Sequence, residues 1–113
     1  MSQNRNKLIN LFIGNISNSI VHQILEKAVD NDELSNNYNK ELLNSLNIAK
    51  KYREKINPVH SQLPDKDILY IKTKITNRVR SELLMRISRG YENIDLELVE
   101  GLVDKALKVT YII

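Results

Sequence analysis

The sequence predicts an all-α protein, a bundle of four to five helices forming a single domain over residues 1–113. Three observations support this fold class. Glycine occurs only three times and proline twice, so few residues interrupt regular structure. Apolar residues recur at intervals of three and four, which is the period of a helix with a buried face. The composition, 42% hydrophobic and 27% charged, is that of a folded chain with one modest core.

The first helix is expected from about Asn4 to Val29. An apolar row at steps of four residues runs along it, formed by Leu8, Phe12, Ile16, Ile20, Ile24 and Ala28. A step of four residues exceeds one helical turn, so this row rotates around the helix and no single flat surface can bury it. We therefore expect a bend at "GNISNS" (14–19), a pair of helices, or one helix that contacts two different partners.

The second helix is expected to follow a polar turn, "DNDELSNN" (30–37), with Ser35 or Asn37 as its cap. Its apolar face comprises Tyr38, Leu42, Leu46, Ala49 and Ile56. Pro58 would end it, because proline lacks the N–H that a helix needs. A connector, "NPVHSQLP" (57–64), leads to the next helix.

The third helix is expected to begin with Pro64 in its first turn, where Asp65 and Asp67 suit the positive end of the helix dipole. Its buried stripe comprises Ile68, Ile71, Ile75, Val79, Leu83 and Ile87. Gly90 is expected to end it in the left-handed conformation.

A last helix is expected after Asn93 or Asp95, either of which can cap it. Its apolar face comprises Leu96, Val99, Leu102, Val103, Ala106 and Leu107. The final "KVTYII" is β-branched and apolar. It is expected to extend the helix, to form a short strand, or to remain as an extended tail that covers a partner's groove.

The bulk properties narrow the classes of function. With no cysteine, disulfides and thiolate metal sites are excluded. The apolar runs span only a few residues, so we expect no export or membrane segment and a cytoplasmic location. The isolated histidines His22 and His60 do not predict a metal site, and His22 is expected to pair with Glu26 on the helix surface. We expect no cofactor and no small-molecule substrate.

The third helix is the best candidate for a binding surface. Basic residues outnumber acidic ones along it, and the net charge of the chain is +3. The candidate nucleic-acid ligands are Lys72, Lys74, Arg78, Arg86 and Arg89, with help from Lys50, Lys51 and Arg53. Lys74, Arg78 and Arg89 lie within about 60° of one another on a helical projection. The alternative is a solvated helix face whose cations pair with the acidic last helix, which carries Glu100 and Asp104.

Evidence for catalysis is thin. The acidic pairs Asp30 with Asp32 and Asp65 with Asp67 are explained by turns and helix starts, and no nucleophile stands beside a base. The spacing of Arg53 and His60 resembles the Arg-x(4–6)-His motif of the HEPN ribonucleases, which are all-helical. That resemblance implies that His60 would act as acid or base while Arg53 holds the phosphate. Glu54 follows the arginine where that family usually carries Asn, Asp or His. We expect no catalytic residue.

The stretch "LPDKDILYIKTKITNRVRSELLMRI" (63–87) resembles the central helical portion of archaeal GINS subunits. In that family a Leu-Pro followed by an acid opens a helix, and a later helix is rich in Arg, Leu and Ile. The resemblance implies a replication scaffold that acts through helix packing.

We therefore expect a non-catalytic helical interaction protein, an accessory subunit of a DNA replication or other nucleic-acid-processing assembly. Its partner is expected to be another protein or a second copy in a homodimer, because the apolar faces exceed what one small bundle hides. Two alternatives stay open at this point. The first is a protein that binds DNA or RNA directly and non-specifically through its basic third helix. The second, which the Arg53–His60 spacing suggests, is a HEPN-like ribonuclease.

Overall fold

The computed structural model describes residues 4–29, 31–58 and 61–113. The chain is all-α, as the sequence predicts, and four helices lie in the described residues: α1 (Arg5–Ala28), α2 (Asp32–Ile56), α3 (Asp65–Ser88) and α4 (Leu98–Val109). The described part of the chain contains no β-strand. The molecule is elongated, with extents of 46 × 24 × 23 Å.

Helix α1 is the central element, and it contacts all three other helices. Asn4 caps it by accepting hydrogen bonds from the backbone N–H groups of Asn6 (3.0 Å) and Lys7 (3.3 Å). Its buried residues follow the rotating apolar row: Leu8, Phe12, Ile16, Ile20 and Ile24 are all at most 5% exposed. Of the three predicted outcomes, the structure has one continuous helix with several partners. The predicted bounds of this helix, Asn4 and Val29, are its two cap residues in the structure.

By length and composition alone, α1 would pass for a membrane-spanning segment, with a mean hydropathy of 1.2 over 18 residues. In the fold, 67% of that window is buried against the rest of the protein. The core helix of a soluble protein and an N-terminal signal sequence both show the same profile, so this property is weak evidence for a membrane span.

Helix α2 packs against α1 in the most extensive helix contact of the protein, and its backbone packs against neither α3 nor α4. It begins at Asp32, five residues before the end of the predicted polar turn, because Asn31 accepts a hydrogen bond from Leu34 N–H (3.1 Å) and so caps it. The prediction that Ser35 or Asn37 caps this helix is therefore wrong. Asp30 lies outside the described residues. The helix ends at Ile56, before Pro58, as predicted.

Helix α3 begins at Asp65, with Pro64 as the preceding cap residue rather than inside the first turn. Four members of the predicted stripe are fully buried: Ile71, Ile75, Val79 and Leu83. Ile68 is half-buried, and Ile87 is 39% exposed. The predicted stripe is no longer buried at Ile87, because each step of four residues advances about 40° around a helix and the row therefore turns away from α1.

Both α3 and α4 end in a Schellman motif, in which a left-handed residue returns the chain toward the last turn. Gly90 has this role after α3, with φ of 97°, as predicted. Its N–H bonds to Ile87 O (3.0 Å), and Tyr91 N–H bonds to Arg86 O (3.1 Å). After α4 the same two bonds join Tyr111 N–H to Lys108 O (3.2 Å) and Ile112 N–H to Leu107 O (2.9 Å). Here a tyrosine takes the left-handed position, with φ of 60°.

Helix α4 covers α1 and α3 with Val99, Val103 and Leu107. Of the two predicted caps, Asp95 accepts a hydrogen bond from Glu97 N–H (3.0 Å) in the turn before the helix, and Asn93 has a left-handed φ of 64°. Glu97 occupies the cap position itself without a side-chain bond. The C-terminal residues form no strand. Ile112 is 1% exposed, so the tail folds back onto the core of its own chain.

Candidate functional site

The predicted nucleic-acid ligands of α3 lie on different sides of the helix. Two basic residues face α4. Lys72 Nζ lies 3.0 Å from Asp104 Oδ1, and Arg80 Nη2 lies 3.7 Å from Glu100 Oε1. These exposed pairs match the predicted alternative in which the acidic last helix neutralises the basic one. Each such pair contributes at most about 1 kcal/mol to stability, so they are easily exchanged for solvent.

Arg86 and Arg89 lie at the C-terminal end of α3. The guanidinium carbon of Arg86 lies 5.6 Å from the centre of the Tyr91 ring, which is cation–π distance. Its Nε is buried and has no hydrogen-bond partner among the described residues. Arg89 is exposed at the C-cap position. These two residues are therefore separated from Lys72 along the helix.

Lys74 and Arg78 face α1 and share a groove with it. We call this the α1–α3 groove and define it by six residues: Asn10, Gly14, Ser17, Tyr70, Lys74 and Arg78. The Tyr70 hydroxyl donates to Asn10 Oδ1 (3.2 Å), and Lys74 Nζ lies 5.7 Å from the centre of the Tyr70 ring. Of the five predicted ligands, the structure brings these two together in one groove.

Arg53 is the largest fully buried side chain among the described residues, with 1% exposure. Nε donates to Tyr111 O (3.2 Å), Nη1 to the carbonyl and side-chain oxygens of Asn57, and Nη2 to Ser61 O (3.3 Å) and Tyr111 O (2.9 Å). A guanidinium has five N–H donors, so all of them are used within the chain. The side chain thus lies between the ends of α2 and α4, where both helix dipoles favour a cation. Burial lowers the pKa of Arg53.

This arrangement bears on two hypotheses. Arg53 has no donor left for a substrate phosphate, whereas the HEPN resemblance requires one. His60 lies outside the described residues. For the same reason Arg53 cannot help Lys50 and Lys51, which are exposed on α2, to bind nucleic acid.

His22 belongs to a polar cluster of three helices rather than to a surface pair with Glu26. It is 8% exposed, and its Nε2 lies 2.8 Å from Glu41 Oε2 of α2. Its ring stacks on Tyr38 with centroids 5.8 Å apart. The predicted Glu26 pair is wrong because α2 provides the nearer carboxylate. Burial lowers the pKa of His22, and Arg86 adds to this effect, while Glu41 opposes it.

A second groove, apolar in character, lies between α2 and α4. We call it the α2–α4 groove. Its apolar lining is formed by Leu42, Leu43, Leu46, Leu102, Ala106 and Val109. Ile20 of α1 lies beneath it, and Lys105 lies at its edge. Its volume is about 240 Å³. Leu43 is 52% exposed and Val109 is 44% exposed. The groove exists because α2 and α4 both pack on α1 while their backbones do not pack against each other. Sequence periodicity placed Leu42 and Leu46 on one face of α2, but it did not include Leu43 and could not show that the opposite wall is also apolar.

Comparison of the chain with protein-family models, with curated proteins and with solved structures gave no significant match. The structure itself defines a class: an all-α protein of helices packed around a central one, with an apolar groove and a polar groove that share no residue.

Proposed function

We propose that the protein is a non-catalytic interaction protein whose α2–α4 groove binds an amphipathic helix of a partner protein. The observation that carries this proposal is the pair of apolar walls on two helices whose backbones do not pack against each other. Two neighbouring helices with a third beneath form the kind of surface that receives the apolar face of another helix.

The groove also indicates the chemistry of its occupant. Among the described residues, Lys105 is the only charged one that lines it. A partner helix would present apolar residues at intervals of three and four to Leu43, Leu46 and Val109, and an Asp or Glu beside them to Lys105. A second copy binding through the same groove in a two-fold dimer would bring two grooves of like charge together. The complementary occupant is therefore a foreign helix with an acidic flank.

The resemblance of residues 63–87 to archaeal GINS subunits suggests where such a partner would be found, in a replication or other nucleic-acid-processing assembly. The resemblance concerns α3, and the groove lies on α2 and α4. The scaffold role therefore rests on the groove, and the kind of assembly rests on the resemblance alone.

Site-specific photocrosslinking tests this proposal. A photoreactive phenylalanine analogue replaces Leu43 in the groove, and in a control chain it replaces Leu69, which is 66% exposed on α3. In the native cell, the Leu43 probe is expected to capture a segment with an apolar helical stripe and adjacent acids, and the Leu69 probe is not. A synthetic peptide of that segment should bind the unmodified protein and lose about tenfold or more in affinity to Leu43→Glu, because the substitution buries a carboxylate against an apolar surface.

Three results would contradict the proposal. The Leu43 probe could yield only the products of the control probe, the captured segment could bind Leu43→Glu equally well, or the crosslinks could join two copies of this chain. The last result, with a doubled mass at micromolar concentration, would establish a homodimer instead.

Direct nucleic-acid binding is a second candidate function, and the pairing of Lys74 with Arg78 in the α1–α3 groove favours it. It predicts binding to single- or double-stranded DNA or RNA at about 50 mM salt that weakens steeply by about 200 mM. Binding that does not respond to salt, or no binding at all, would count against it.

A further inference from the structure

We infer that the α1–α3 groove is a phosphate-binding site in which Arg78 is the principal ligand. This site shares no residue with the α2–α4 groove, so the inference does not depend on the helix-binding function proposed above.

The first observation is the position of Arg78. Its guanidinium lies flat over α1 at Gly14, with Nη1, Nη2 and the central carbon 3.7, 3.8 and 3.9 Å from the position a Cβ of residue 14 would occupy. No hydrogen bond or ion pair joins it to any described residue, in contrast to Lys72 and Arg80 on the other side of the helix. The missing side chain at Gly14 leaves the planar fork facing an open cavity with its donors free.

The second observation is a buried hydroxyl in the same cavity. Ser17 lies one turn beyond Gly14 on α1, is 1% exposed, and its Oγ has no hydrogen-bond partner among the described residues. A buried polar group without a partner costs free energy, of the order of 1–3 kcal/mol. A ligand oxygen held by Arg78 at this end of the groove would give the Ser17 hydroxyl an acceptor.

The third observation is the set of donors on the remaining side. Lys74, Asn77 and Ser81 line the groove next to Arg78 and supply an ammonium, an amide and a hydroxyl. Arg78 lines both this cavity and the one that contains Ser17, so donors of α3 and the Ser17 hydroxyl of α1 lie in two adjoining cavities beside one guanidinium. A tetrahedral phosphate accepts from several directions at once, whereas a planar carboxylate is satisfied by the arginine fork alone.

Glu82 opposes binding, since its carboxylate lines the same cavity as Arg78. Two cations and one anion leave a net positive site, so a lone phosphate should bind weakly. The phosphate could be a free ion or part of a nucleic-acid backbone, and the two sources share the chemistry of the site. A nucleic-acid strand should bind more tightly than a free phosphate ion, because the strand places further phosphates near Lys66. Lys66 lines the end of the groove beside Tyr70.

The test is a titration of the full chain with inorganic phosphate, acetate and a ten-nucleotide oligothymidylate, at about 50 mM salt, followed by amide and arginine side-chain NMR signals. We expect saturable shifts at Gly14, Ser17 and Arg78 with phosphate, with the oligonucleotide, or with both. Binding to the oligonucleotide alone would identify a nucleic-acid backbone as the source, and equal affinity for both would identify a free phosphate.

Variants matched in net charge distinguish a specific phosphate site from nonspecific electrostatic attraction to a basic protein. Arg78→Gln should reduce affinity by about tenfold or more, and Ser17→Ala by a few-fold. Glu82→Gln should increase affinity, because it removes the opposing charge. Arg80→Gln, a change of equal charge on the side of α3 that faces α4, should have little effect on phosphate binding. Thermal unfolding of each variant confirms that it is folded.

The inference is overturned if neither phosphate nor the oligonucleotide shifts these signals, or if Arg78→Gln and Arg80→Gln weaken binding equally. It is also overturned if acetate binds as tightly as phosphate, which would assign the groove to an acidic side chain of a protein. If Arg78→Gln abolishes phosphate binding but leaves binding of the partner peptide intact, and Leu43→Glu does the reverse, the two sites act independently, and either proposal can fail without the other.

Discussion

Replacing Arg53 by methionine should destabilise the fold substantially. Methionine retains part of the aliphatic stem but removes all five donors that hold Tyr111, Asn57 and Ser61. Asn57 and Ser61 reach the surface, so water can replace their bonds. The Tyr111 carbonyl accepts two of the five bonds, from Nε and Nη2, and these two bonds join the end of α2 to the turn after α4.

The expected magnitude follows from those two bonds. A hydrogen bond to a charged group contributes about 1.5–3 kcal/mol, and removing a buried charge returns part of that through desolvation. We expect the free energy of unfolding to fall by about 2–4 kcal/mol, and the Tm by roughly 10 °C for a domain of this size. Urea unfolding and calorimetry measure the two quantities.

Two comparisons test the reasoning. Arg80→Met removes an exposed arginine whose ion pair with Glu100 is long, at 3.7 Å, so it should change stability by less than about 1 kcal/mol. Arg53→Lys keeps the charge but lacks the planar fork, so it should recover only part of the loss. An Arg53→Met protein as stable as the parent would refute the view that this side chain joins the ends of α2 and α4.

Three further predictions concern the buried histidine and the C-terminal residues. Burial lowers the pKa of His22 below its ordinary value near 6.5, so at a pH between the two values the unfolded chain binds more protons at His22 than the folded one. The contribution of neutral His22 to stability is therefore fully present above pH 6.5 and is lost as the pH falls through the lowered pKa. His22→Gln should flatten this decline in urea titrations between about pH 7 and about pH 5, and an unaltered slope would contradict it. Tyr111→Gly should gain up to about 1 kcal/mol by relieving the left-handed φ of 60°, with a loss of stability as the contrary result. Ile112→Ala should cost about 2–5 kcal/mol because the side chain is 1% exposed, whereas Ile113→Ala, 50% exposed, should cost under about 0.5 kcal/mol; equal effects would show that the tail is not docked.

The features that the sequence predicted correctly depend on neighbours along the chain. The end of α3 needs only Gly90, whose left-handed φ is easily adopted, and the end of α2 needs only Pro58. The start of α2 was misplaced because several polar residues in succession can each act as a cap. Asn31 is the residue that caps α2. Ser35 and Asn37 lie inside the helix, where Asn37 is exposed.

The features that the sequence could not predict join distant residues. Arg53 and Tyr111 are 58 positions apart, and no periodicity relates a charged residue of α2 to a carbonyl beyond α4. His22 meets Glu41 only because α1 and α2 form an antiparallel pair. Helical projection did place Lys74 and Arg78 on one side of α3, but it could not show that Gly14 and Ser17 lie opposite them. Both grooves are properties of packing rather than of any single helix.

The central position of α1 has a consequence for how the native state opens. Because every other helix packs on α1, its inner amides can meet solvent only when the whole structure comes apart. Helix α2 packs its backbone on α1 alone, so once the Arg53 bonds to Tyr111 break it can separate while α3 and α4 remain in place. Amide hydrogen exchange should therefore be slowest in the middle of α1 and faster in α2, with an order of protection that reflects how many neighbours each helix has.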